Sequence, residues 1–75
     1  MTIEYRVMNL HNDTTGKDYL VFDNERAARN YLRQVAKDNA EHYVKFDSVS
    51  LRIWKNDTNH WPDVYLMIEM HTEIG

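Results

Sequence analysis

Seventy-five residues, 43% of them apolar and 28% charged, with no cysteine, describe one small domain spanning residues 1–75 and held together by packing alone. The lack of cysteine excludes a disulfide framework and thiolate chemistry. A formal charge of −3 disfavours nonspecific nucleic-acid binding, and no run nears the ~18 apolar residues of a membrane span.

Residues 2–8 alternate, with Ile3, Tyr5 and Val7 on one side and Glu4, Arg6 and Met8 on the other, the period-2 pattern of a half-buried strand. Alternation from the first residues is unlike the apolar core of a signal peptide, so a cytoplasmic location is expected. Residues 9–17, with HNDTTG at their centre, read as a loop, and residues 18–22 as a short second strand.

Residues 23–39 carry the clearest signal. At about 100° per residue, Ala28, Tyr31, Leu32, Val35 and Ala36 share one side of a helix, and Arg26, Arg29, Arg33 and Lys37 form a stripe on the other. Asp23 is the expected N-cap, with Phe22 and Ala27 closing a hydrophobic staple around it. Residues 24–39 hold four basic and two acidic side chains against five basic and ten acidic elsewhere, so an acidic body bears one basic stripe.

Residues 40–47 are ambiguous between a frayed helix end, an irregular connection and a strand; the frayed end is the expectation. Residues 48–54 alternate again, placing Val49, Leu51 and Ile53 on one face and Arg52 and Trp54 on the other. KNDTNHWPD is a second loop, since Pro62 cannot donate to a ladder, residues 64–71 form the last strand, and residues 72–75 a loose tail. Two N-x-T triplets, at Asn12 and Asn56, read as turns rather than glycosylation acceptors.

The expected fold is therefore α+β: a two-layer ββαββ arrangement, a four-stranded, mostly antiparallel sheet with one amphipathic helix packed on one face. The helix should return the chain to the end where the first strand finished. That puts the two hairpin loops at opposite ends and allows strand orders 2-1-3-4 or 1-2-4-3.

One helix covers one face of a sheet. The opposite face should carry Arg6, Met8, Tyr19, Val21, Arg52, Trp54, Tyr65, Met67, Glu69 and His71, a mixture rich in aromatic, Met and Arg side chains that suits a binding surface. The candidate partner-binding residues are Arg6, Tyr19, Arg52, Trp54, Tyr65 and Met67 on that face and Arg26, Arg29, Arg33 and Lys37 on the helix. The four histidines, His11, His42, His60 and His71, show no HxH or HxxxH pair, and His11 and His60 are expected at opposite ends, so neither a metal site nor any cofactor is expected.

No catalytic signature is present. The only glycines are Gly16 and Gly75, no serine is placed beside a base, and Asp57 and Asp63 read as ordinary loop acids. The expectation is a non-enzymatic protein that binds another macromolecule, a protein partner first. Nucleic acid on the helix stripe is the alternative, disfavoured by net charge, and a homodimer burying the aromatic face is a third reading; no membrane partner is expected. In size and layout the chain is similar to accessory proteins of phages and mobile elements that inhibit host defence or nucleic-acid-processing complexes, anti-CRISPR proteins among them. That likeness implies steric occupation of a partner and rests on no shared motif.

Overall fold

The computed structural model describes residues 2–10 and 19–73. The predicted loop at 9–17 and its HNDTTG centre fall mostly outside these, as do His11, the Asn12 triplet, Gly16 and the last two residues of the predicted tail. Five strands and one helix follow in the order β1 (Thr2–Asn9), β2 (Tyr19–Phe22), α1 (Glu25–Asp38), β3 (Tyr43–Asp47), β4 (Ser50–Trp54) and β5 (Val64–Glu73). All neighbours are antiparallel, in the order β2-β1-β5-β4-β3. The α+β, helix-on-sheet architecture is the predicted one, with five strands in place of four.

The fifth strand is β3, where a frayed helix end was expected. Val44 and Phe46 alternate with Tyr43, Lys45 and Asp47, and β3 pairs with β4 from Tyr43↔Trp54 to Asp47↔Ser50. Ser48 and Val49 make the turn between them, so Val49 is exposed rather than helix-facing. This extra strand overturns both predicted strand orders by reversing direction once more after the helix. With four strands, the last would run parallel to β1; with five, β5 runs antiparallel to it and pairs along its whole length, Thr2↔Glu73 to Asn9↔Leu66. The same reversal puts the end of β1 and residues 55–63 at the same end of the sheet, not at opposite ends.

The helix begins one residue later than expected. Asn24, in extended conformation, is the N-cap, and its Oδ1 accepts from Ala27 N at 2.8 Å. Asp23 stands one place too early to reach those donors, and the staple shifts out of register with it. Phe22 packs instead on Tyr31, with ring centroids 5.5 Å apart. Glu25 in the first turn and Lys37 in the last complement the helix dipole. Asn39 closes the helix: its Nδ2 donates to Val35 O at 2.8 Å, and a turn bonding His42 N to Asn39 O leads directly into β3.

The apolar side of α1 lies on the sheet as its periodicity requires. Ala28 and Leu32 are fully buried against Val7, Leu51, Ile53 and Leu66, with Tyr5, Phe22, Tyr31, Val35, Ala36, Val44, Val64 and Ile68 packed around them. The sheet is staggered. β4 meets only the first part of β5, from Ile53↔Val64 to Ser50↔Met67, and β2 meets only Tyr5 to Met8 of β1. The far ends of β1 and β5 therefore project as a two-stranded ribbon. A Cα radius of gyration of 13.1 Å exceeds the ~11 Å expected for a compact chain of this length, and the extents are 45 × 24 × 15 Å.

Candidate functional site

Period-2 alternation carried through the observed register fixes the helix-free face of the sheet. Every residue assigned to it from the sequence lies there, and β3 adds Tyr43, Lys45 and Asp47. Three zones follow from the pairing. At the loop end, Arg52 is opposite Tyr65 on one side and Lys45 on the other, and its guanidinium lies 5.9 Å from the Trp54 ring centre. Tyr43 meets the Trp54 ring edge-on at 5.6 Å, while Trp61, from residues 55–63, packs on Tyr65 at 5.6 Å.

A methionine row crosses the middle of the face, Tyr19–Met8–Met67–Ser50–Asp47 in register. Beside it Arg6 stacks over the Tyr19 ring at 4.6 Å. At the ribbon end three charged side chains and a histidine form a checkerboard. Arg6 is opposite Glu69 and Glu4 is opposite His71, while Arg6 also pairs along its own strand with Glu4 at 3.1 Å. His71 Nε2 stands 2.8 Å from Glu69 Oε1, off the line of a hydrogen bond.

Arg52 differs from Arg6. It makes no ion pair among the described residues, and its Nε is sealed from solvent without a hydrogen-bond partner, so only the outer guanidinium nitrogens remain to donate. Trp54 is held in place by its indole N–H, which donates to His60 O at 2.8 Å. The loop carrying His60 is closed by its own acids. Asp63 accepts from Lys55 N at 2.7 Å, and Asp57 accepts from Asn59 N at 2.9 Å. Both carboxylates thus serve as turn-makers.

The helix stripe occupies the other side of the molecule. From Arg26 to Lys37 it covers an arc of about 80° and a rise of about 16 Å. Arg29 is tied to Glu25 one turn earlier, whereas Arg26, Arg33 and Lys37 are exposed and form no ion pair among the described residues. Glu25, Arg26, Arg29, Asn30 and Arg33 line a shallow open recess there. The ten sequence-derived candidates therefore fall into two groups, six on the sheet face and four on the helix, separated by the core. One flat partner surface can engage one group or the other.

Two aromatic side chains on the sheet side were missed. Tyr43 was legible in the alternation of YVKFD once that run is taken as a strand. Trp61 belongs to a loop, and nothing in its spacing ties it to Tyr65. No cluster of three or more His, Asp or Glu side chains arranged to hold a metal occurs among the described residues, and no described helix is long and apolar enough to cross a membrane. The expectation that His11 and His60 lie at opposite ends loses its basis in the five-stranded topology, and His11 is outside the described residues. Comparison with protein-family models, curated proteins and solved structures finds no match.

Proposed function

We propose that the protein acts by binding rather than by catalysis, and that it engages a protein partner through the helix-free face of its sheet. The observation that carries this reading is the loop-end zone: Arg52, without an ion pair among the described residues, set among Trp54, Tyr65, Tyr43 and Trp61 on a face that no described element covers. Tyr43 is 59% exposed and Trp61 61%. Rigid aromatics around an arginine are the composition of energetic centres in protein interfaces. Such a zone fits a partner that offers carbonyl or carboxylate acceptors among apolar side chains. Occupying a partner's working surface, as small inhibitors of the phage-borne kind do, is the mode of action in keeping with the chain's size and layout.

The test is capture of partners from the native host with the parent chain and with Trp54→Ala, Arg52→Glu and Arg26→Glu/Arg33→Glu. Loss of a central aromatic or arginine anchor costs about 2 kcal/mol or more, roughly thirtyfold in affinity. The first two variants should lose the partner and the third should keep it. Retention by Trp54→Ala and Arg52→Glu, with both folded by circular dichroism, refutes the assignment.

A second reading has one observation in its favour: Arg26, Arg33 and Lys37, on and beside the recess of α1, form no ion pair among the described residues. Phosphate contacts there would make it a nucleic-acid module. A titration of single- and double-stranded oligonucleotides at low and moderate salt decides it: micromolar binding with a steep salt slope supports it, and no binding at low salt removes it. The third reading, a dimer burying the aromatic face, requires Trp54→Ala to dissociate the dimer.

A further inference from the structure

The open edges of the sheet are not alike. Antiparallel register together with the bonds Ile68 N to Val49 O and Leu10 N to Tyr65 O fixes which main-chain groups point outward. On β3 these belong to Val44 and Phe46, and charged Lys45 and Asp47 flank them on the strand. On the overhanging end of β5 they belong to Met70 and Thr72, beside Glu69 and His71. On the overhang of β1 they belong to Ile3, beside Glu4. Each edge thus carries charge, the usual guard against a second strand.

β2 carries none. Its four residues, Tyr19, Leu20, Val21 and Phe22, are uncharged and contain no proline. Tyr19 and Val21 turn their N–H and C=O groups away from β1, and among the described residues no strand receives them. Leu20 is 48% exposed on the helix side and Val21 50% exposed on the far side. An outward row of main-chain donors and acceptors with apolar side chains above and below is a template for another strand.

We infer that β2 pairs with β2 of a second copy of this chain, antiparallel and about a two-fold axis through Leu20. An antiparallel copy presents the same two outward residues, so Tyr19 of each exchanges main-chain bonds with Val21 of the other. Side-chain parity then holds across the junction. Leu20 meets its own counterpart on the helix side, Tyr19 meets Val21 on the far side, and charged Asp23 stays outside the paired stretch. The two sheets join into one of ten strands. The aromatic zone at Trp54 lies three strands from the junction, so it remains open and is displayed twice. The ladder is short, which places the dimer in the weak, concentration-dependent class.

The experiment is sedimentation or light scattering over a concentration series of the full chain, with Val21→Pro, Val21→Lys and Trp54→Ala. The N–H of Val21 points outward, so proline there removes a bond to the partner strand and none to β1, the one setting in which a strand tolerates it. Lysine restores the missing guard. The parent should dimerise and dissociate on dilution; both Val21 variants should weaken the dimer at least tenfold while keeping the parent's circular dichroism, and Trp54→Ala should leave it unchanged. Should the proline variant misfold, the lysine variant decides alone. A parent that stays monomeric to about 1 mM, a dimer that survives a folded Val21 variant, or one that Trp54→Ala dissociates, overturns the inference. The last result would favour the aromatic-face dimer instead and count against partner capture by Trp54 and Arg52; the first two leave that reading untouched.

Discussion

At the scale of single residues, two positions separate local from tertiary causes. Asn24 and Asp23 are adjacent, of similar shape and both good caps, yet only Asn24 accepts from Ala27 N. Asn24→Ala should destabilise the fold by about 0.5–2 kcal/mol, whereas Asp23→Ala should fall within about 0.5 kcal/mol of the parent; urea unfolding followed at 222 nm separates them. Leu32 is the larger of the two helix residues that are wholly buried against the sheet. Leu32→Ala should cost about 2–5 kcal/mol, a large share of what a core this small supplies, so the expected outcome is a chain largely unfolded at room temperature. The sequence shows Leu32 as a core residue because its neighbours at helical spacing are apolar. It does not show which of two consecutive cap-forming residues is used, because that depends on where β2 releases the chain.

At the scale of elements, what was readable follows the strength of each period. The helix and the first strand repeat their pattern for long enough to fix both faces, and each far-face residue predicted from alternation lies where expected. β3 was hidden because it has five residues and follows the helix without glycine or proline to mark the break. Asn39 ends the helix through its side chain, a signal no stronger in the sequence than any other asparagine. Missing one strand changed the direction of the next two, so a local misreading became a topological one.

The stagger of the sheet makes a further prediction at this scale. Glu69 and His71 point their amides at β1, while Met70 and Thr72 point theirs at an edge that no described residue fills. Amide exchange should therefore alternate along the end of β5, with Met70 and Thr72 fast and Glu69 and His71 slower. Uniform protection across the four would show that the edge is covered.

For the whole molecule, the division into two faces governs what the protein can do. The core lies between the arginines of α1 and the aromatics of the sheet, so no single flat surface can meet both the basic stripe and the aromatic zone. Composition alone could list both sets of residues. It could not say that they look in opposite directions, since that depends on which strand faces the helix takes. The chain's mild acidity is equally uninformative at this scale: the ribbon end sets Arg6 against Glu4 and Glu69, and the loop end of the same face is cationic and aromatic.

The antiparallel run of β1 against β5 has one more consequence. Thr2 is in register with Glu73, so the two ends of the described chain leave the sheet side by side, and the backbone is a ring with a single break. A short linker joining the ends would close that ring without moving a strand. Opening it within residues 55–61, the exposed part of the loop at the far end of the sheet, would then give a reordered chain that begins just before β5 and finishes just after β4. Such a permuted protein should reproduce the parent's far-ultraviolet spectrum and unfold in one transition. The order in which these elements are written along the gene would then be a matter of history, and their arrangement a matter of pairing.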